Sequence, residues 1–194
     1  MIYNVSKMSI FIKFILLVKN NILIYLYMST ILDYIVYTLN NIQNECNITN
    51  KLDTVTKLNI DDFLGKWIEN ARLPNEFEYG ASKVTAMYKK IKNSSEIEVT
   101  NKCMLDKTPK SITGKAVIMS PGKLLVSFYG FPAPYWILEL TKEYMIVSEP
   151  SRNYLWILSK QKKLSAKKIN KLKEKIRNKY GFGKKVDELI YTSD

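Results

Sequence analysis

Val84-Thr85-Ala86-Met87-Tyr88, then Lys92-Asn93-Ser94-Ser95, then Glu96-Ile97-Glu98-Val99-Thr100-Asn101-Lys102-Cys103: this stretch decides the fold class. Ile97, Val99 and Cys103 alternate with Glu96, Glu98, Thr100 and Lys102, a period of two that marks a half-buried strand. The polar quartet before it reads as the turn that separates it from the strand-like run Val84 to Tyr88. The same rhythm continues downstream. Ala116 to Met119 runs into Pro121-Gly122, and Leu124 to Tyr129 ends at Gly130, with Pro132 and Pro134 marking another loop. Tyr135 to Leu140, Tyr144 to Ser148 and Tyr154 to Ser159 complete the series. Seven or eight strands at a spacing of roughly ten residues predict an all-β sandwich or barrel of meander type.

One helix follows the strands. Ser165 is placed as an N-cap, Ile169, Leu172, Ile176 and Tyr180 form one apolar stripe at helical spacing, and Gly181 stands where a left-handed C-terminal residue is usual. A final short strand is expected over Glu188 to Thr192. The order of strands, one amphipathic helix and a last strand fits a small closed barrel with a helix packed on its wall.

Upstream, the first 40 residues have a different character. Two apolar runs occur, Met8–Val18 (broken by Lys13) and Ile22–Leu39 (broken by Asp33), and Lys7 precedes the first. A basic residue followed by about ten apolar ones is the pattern of a secretory signal. The second run approaches the roughly 20 residues that span a bilayer, although Asp33 is costly at its middle. The expected division is a targeting or anchor segment over 1–40, a polar linker over 41–57 and a barrel domain over 58–194. An amphipathic extension, or a true start at Met8 or Met28, is the alternative at the N-terminus.

Histidine is absent, which excludes a Ser-His-Asp triad, a Cys-His pair and any His-based metal site. Two cysteines cannot build an all-cysteine zinc site. Neither metal nor cofactor is expected. The net charge of +12 is concentrated: from Lys160 to Lys185, eleven lysines and Arg177 face one acid, Glu174, leaving the rest of the chain at +1. Basicity therefore belongs to one segment. No aromatic interleaves that charge as a base-stacking platform would, so a nucleic-acid partner is not expected. The segment reads as a solvated helix face or, alternatively, as a docking face for an anionic membrane surface.

Gly65-Lys66-Trp67-Ile68-Glu69 followed by Ala71-Arg72-Leu73-Pro74-Asn75-Glu76-Phe77-Glu78 resembles the opening motif of the lipocalin family, in its bacterial-lipocalin and apolipoprotein D-like branch. Tyr135-Trp136-Ile137-Leu138-Glu139-Leu140 and Glu149-Pro150-Ser151-Arg152-Asn153-Tyr154-Leu155-Trp156-Ile157-Leu158-Ser159 are similar to the same branch, in the same order along the chain. The resemblance implies an eight-stranded antiparallel up-and-down barrel with one C-terminal helix on its wall, holding a small hydrophobic ligand such as a fatty acid, a lysophospholipid or a similar lipid. It implies Trp67 as a plug at the closed end. Lys160 stands where the family packs an arginine over that tryptophan, and Ile68 replaces a usual aromatic.

By the same resemblance, Trp156, Tyr135 and Trp136 line or rim the ligand pocket; Tyr88 and Phe128 are added as aromatics on strands that face it. Each has the plainer reading of core filler. In a secretory compartment Cys46 and Cys103 can pair, as N-terminal cysteines do in some relatives; in a reducing one they stay two free thiols. Three functions follow: a non-catalytic lipid carrier, secreted or membrane-associated; a membrane-tethered or particle-associated interaction protein; and a lipocalin-type isomerase or de-epoxidase. Without histidine, the enzyme would have to rest on Cys103 or Glu69, and neither lies beside an evident base, so no catalytic residue is expected.

Overall fold

The computed structural model describes residues 52–192. The hydrophobic segment expected over 1–40, Cys46 and most of the linker expected over 41–57 lie outside them. A short helix α1 (Ile60–Phe63), with Asn59 as its N-cap, leads into nine strands: β1 (Gly65–Arg72), β2 (Ser82–Lys90), β3 (Ile97–Leu105), β4 (Thr108–Ser120), β5 (Lys123–Phe128), β6 (Phe131–Leu140), β7 (Tyr144–Ser148), β8 (Leu155–Ser159) and β9 (Ile190–Tyr191). Helix α2 (Ala166–Lys179) lies between β8 and β9.

Each strand from β2 to β8 pairs antiparallel with its sequence neighbour. The sheet closes through β1, which pairs with β2 from Gly65↔Tyr88 to Ile68↔Thr85 and with β8 from Ile68↔Ser159 to Arg72↔Trp156. Eight strands thus form a closed barrel, which leaves no long free edge. The ninth strand is an addition: β9 lies against the far end of β1 at Ala71↔Tyr191 and Arg72↔Ile190. The helix cap opens β1 at one end of the barrel, the closed end. By the alternation of the meander, the β1–β2, β3–β4, β5–β6 and β7–β8 connections lie at the other, the mouth.

Strand alternation divides the apolar residues into two cores. The inner one contains Phe63, Trp67, Tyr88, Val99, Ile137 and Leu158 among others, all buried inside the barrel. The outer one packs Leu138, Ile146, Leu155 and Ile157 of the wall against Ile169, Leu172 and Ile176 of α2. Those three helix positions are the expected stripe, joined by Tyr180, and the Ser165 hydroxyl accepts from the Lys168 N–H at 3.3 Å as the N-cap. Gly181 follows at φ +72, the left-handed turn that ends the helix. Residues 52–57 also lie on the barrel: Leu52 is buried in the outer core, and the Val55 N–H donates to the Ile137 carbonyl at 3.0 Å.

Three elements differ from the sequence expectation. β4 begins at Thr108, eight residues before Ala116, because most of its first half faces solvent and carries little apolar signal. β6 runs through Pro132 and Pro134 rather than starting at Tyr135. Those prolines pair with β5 in the stretch that β7 does not reach, where a missing N–H breaks no second ladder. At the C-terminus, a 3-10 turn over Gly183–Glu188 shortens the last strand to two residues.

Candidate ligand-binding site

Side chains from α1, β2, β6 and β8 meet inside the barrel as a run of aromatic rings. Phe63 and Tyr88 have ring centroids 4.4 Å apart, Tyr88 and Tyr135 6.2 Å, and Tyr135 and Trp156 6.4 Å. Beyond Trp156 the run continues to Tyr154, stacked at 5.9 Å and 7°, and to Phe77 at 5.8 Å. It therefore extends from the buried closed end to Phe77, which is 81% exposed at the mouth. The Tyr88 and Tyr135 hydroxyls share a hydrogen bond of 2.6 Å, and burial holds both phenols above their ordinary pKa. Such a pair uses one proton between its two oxygens and leaves the second free to donate.

Of the expected site residues, Tyr88, Tyr135 and Trp156 are brought together, and Phe128 joins the same inner wall. Its ring lies on Gly114, where an added Cβ would come within 2.6 Å of it. Trp136 is the correction. It stands on the outer face beside the α2 core, with the Lys123 ammonium 4.2 Å from its ring centroid. Consecutive strand residues point to opposite faces, so Tyr135 and Trp136 cannot both face inward. At the closed end, Gly65 takes φ +103, the Trp67 ring is wholly buried, and its Nε1 donates to the Phe63 carbonyl at 2.8 Å. The Lys160 ammonium lies 5.2 Å from the Trp67 ring centroid, within cation–π range. Among the described residues Cys103 has no disulfide partner, and Cys46, with which it can pair, lies outside them.

A polar cluster that no sequence pattern announces gathers at the mouth end of β1. Arg72 donates through Nη1 to Glu69 at 2.5 Å and to the Thr192 hydroxyl at 3.3 Å. Its Nη2 donates to the Glu78 carbonyl at 2.6 Å and the Ala81 carbonyl at 3.2 Å. The Thr192 hydroxyl also donates to Glu69. The Glu78 carboxylate accepts from Trp156 Nε1 at 2.9 Å and from the Asn75 amide at 2.9 Å, which fixes the tryptophan ring at the lip. Glu149 organises the facing β7–β8 loop. Its carboxylate accepts from the backbone N–H of Ser151 and Asn153, both at 2.6 Å, and that loop presents Tyr154 to Trp156.

Glu69 is 1% exposed, and burial, reinforced by the like charge of Glu78, pushes its carboxyl up to about 7 despite the bonds from Thr192 and Arg72. Glu69, Arg72 and Glu78 all stand in the quoted opening motif. No periodicity marks them, because a register shift between Glu69 and Ala71 breaks the alternation of β1. Chemically, the interior is lined by apolar side chains, with two hydrogen-bonded phenols among them and charged groups near the mouth. Among the described residues no group of three His, Cys, Asp or Glu side chains is placed to hold a metal ion.

Comparison with known proteins agrees with this geometry. A family model described as a lipocalin-like domain matches residues 58–194. The outer membrane lipoprotein Blc of Vibrio cholerae is 39% identical over 115 residues, which cover 55% of this chain and 67% of that protein. Apolipoprotein D of Bos taurus is 33% identical over 129 residues, covering 59% of this chain and 67% of its own length. Among solved structures, insecticyanin from the tobacco hornworm Manduca sexta matches with a TM-score of 0.60 at 20% identity, over 74% of this chain and 84% of the other. At that identity the structural likeness is one of fold.

Proposed function

Because this chain belongs to the lipocalin family, in its bacterial-lipocalin and apolipoprotein D-like branch, we propose that its barrel binds and carries one fatty acid, lysophospholipid or similar lipid without altering it. The observation that carries this reading is the aromatic run from Phe63 to Trp156, which offers a continuous apolar surface between floor and mouth. Removing apolar area from water contributes roughly 25 cal/mol per Å2, or about 0.8 kcal/mol per buried methylene, before ordering costs are subtracted. An acyl chain thus gains most by lying along the rings. Trp156 and Tyr135 act as its principal contacts, with Tyr88 deeper and Phe128 on β5, the strand beside that of Tyr135.

The division into a targeting or anchor segment over 1–40, a linker over 41–57 and the lipid-binding domain over 58–194 belongs to the same proposal. It places the carrier outside the cell or at a membrane, and the name of the Vibrio relative, an outer membrane lipoprotein, supports that placement. The basic segment assists through electrostatic attraction to anionic lipid. Lys168 meets Glu143, Lys175 meets Glu139, and Lys173 and Arg177 meet Asp187. Exposed Lys167 and Lys171 leave positive charge on the helix. A cleft of about 590 Å3, lined in part by Lys142, Lys162, Lys163 and Lys168, extends that charge beside its N-terminus.

The full chain, purified from cells and analysed by native mass spectrometry with organic extraction, tests the carrier reading. A co-purifying lipid is expected, depleted in Trp156→Ala. A protein that emerges empty and changes the fluorescence of no lipophilic probe would overturn it.

A further inference from the structure

Large apolar side chains left exposed among the described residues are not spread evenly over the barrel. The three most exposed, Tyr79 at 88%, Tyr129 at 85% and Phe77 at 81%, all stand in connections at the mouth. Single exposed hydrophobics are ordinary on a protein surface, but their concentration at one end marks an interaction site. Phe77 and Tyr79 belong to the β1–β2 connection, and Tyr129 to the β5–β6 turn, with half-exposed Phe131 beside it. Around the closed barrel those two connections are four strands apart, so they face each other across the opening. At the closed end, by contrast, the β2–β3 turn reads Lys92-Asn93-Ser94-Ser95 and the β6–β7 turn Thr141-Lys142-Glu143, both polar.

Tyr129 also stands where the backbone disfavours it. With Gly130 it forms the two-residue turn between Phe128 and Phe131, at φ +54 and +82. Left-handed backbone in such a turn suits Asn, Asp or Gly and strains a bulky side chain. The chain follows that preference at the closed end, where Asn93 takes φ +59. Tyr129 is the only aromatic at positive φ among the described residues, so strain is accepted where it holds an exposed ring at the mouth. Tyrosine joins an apolar ring to a polar hydroxyl, the combination that settles at a membrane–water boundary. Charge at the mouth is mixed, with exposed Lys107 and Lys110 against exposed Glu76 and Asp106, which suits a zwitterionic surface better than an anionic one. A body that touches both aromatic tips must cover the opening. A protein there would seal the chamber, whereas a bilayer supplies the lipid that the chamber takes up. The rings of Tyr154 and Trp156 lead inward from Phe77 at 5.8 and 5.9 Å.

We propose that the mouth docks on a zwitterionic lipid bilayer, with Tyr79 and Tyr129 entering its head-group layer from opposite sides of the opening, so that cargo passes directly between bilayer and barrel. This rests on the reading of the barrel as a lipid carrier for the nature of the surface. The docking face is separate from the basic flank of α2, which attracts by charge.

The test places one additional tryptophan in the full-length chain and measures its quenching by vesicles of brominated phosphatidylcholine. Tyr79→Trp reports from the mouth, and Met119→Trp, at an exposed position near the closed end of β4, reports from the other end. About 1 M salt, which shortens the Debye length to about 3 Å, removes the attraction of the basic helix. With the signal of the unaltered chain subtracted, quenching at position 79 is expected to exceed that at 119 about threefold, because only the mouth reaches the head-group layer. Tyr129→Asn suits the left-handed turn and keeps the fold, and it is expected to lower the quenching at 79 about twofold from across the opening. Equal or stronger quenching at 119, or a signal at 79 that Tyr129→Asn leaves unchanged, would overturn the docking face. Quenching at neither position would overturn it too, and a dimer in sedimentation that Tyr129→Asn breaks would then assign the rim to a second copy. Each of these failures leaves lipid co-purification, which measures the carrier reading, unaffected.

Discussion

The floor and the lip of this barrel are held by different forces, although one strand, β1, supplies both. At the floor, Trp67 is packed among Phe63, Ile97, Ile137, Met145 and Leu158, all buried, and the one hydrogen bond of its indole goes to a backbone carbonyl. At the lip, five residues further along the strand, Arg72 is as deeply enclosed, yet nearly every partner it has is polar. Apolar packing depends on volume and has no charge to titrate. A buried ionic cluster depends on every member being present. The closed end is therefore a fixed plug, whereas the mouth is a charged frame that presents Trp156 to a ligand. The two ends should fail in different ways.

The largest effect is expected at the floor. Trp67→Ala removes the biggest wholly buried side chain of the inner core and should cost about 3–5 kcal/mol of unfolding free energy, with the same loss at pH 5 and pH 8. Urea denaturation at both pH values measures it. A loss below about 1 kcal/mol would mean that the closed end collapses around the gap and is no rigid plug. Next is the lip. Arg72→Met keeps the aliphatic stem but leaves buried Glu69 and half-buried Glu78 without their cation, a loss of about 3 kcal/mol. Unlike the floor variant, it should also raise the exposure of Trp156, whose Nε1 is held by Glu78. A red-shifted indole emission would report this, and an unshifted one would show that Glu78 keeps its place without Arg72.

Legibility in the sequence followed the same divide. Alternation in Ile97-Glu98-Val99 marks β3, because one of its faces is apolar and the other wet. The helix stripe Ile169, Leu172, Ile176 was legible for the same reason. The first half of β4 was not: its burial is slight on both faces, so no amphipathic contrast exists to be read. The family motif offers Tyr135 and Trp136 together as residues that line or rim the pocket, but consecutive strand residues face opposite sides, and Trp136 packs on the outer core. Glu69 and Arg72 show the deeper limit. Charged residues in a strand read as solvent-facing, and only the register shift after Glu69, a three-dimensional feature, turns Ala71 toward α2 and Arg72 toward the interior.

The smallest expected effect is the one that separates the two ends most cleanly. The Glu69 carboxyl is raised from 4.5 to about 7 in the folded chain, with burial as the main cause. Between those values the folded state keeps a proton that the unfolded state releases. This contribution to stability is therefore full below about pH 4.5, declines as the pH rises toward 7, and is level above. Glu69→Gln retains an oxygen that can accept from Arg72 and Thr192, but it cannot ionise. The difference in unfolding free energy, variant minus parent, should then rise from about pH 5 to pH 7, since Glu139 and the other titrating groups contribute equally to both proteins and cancel. Urea titrations at half-unit pH intervals supply the curve. A flat difference would mean that the pairing with Arg72 outweighs desolvation and keeps Glu69 ionised throughout. In that case the lip would match the floor in its indifference to pH, and the two ends would differ only in the geometry of their packing.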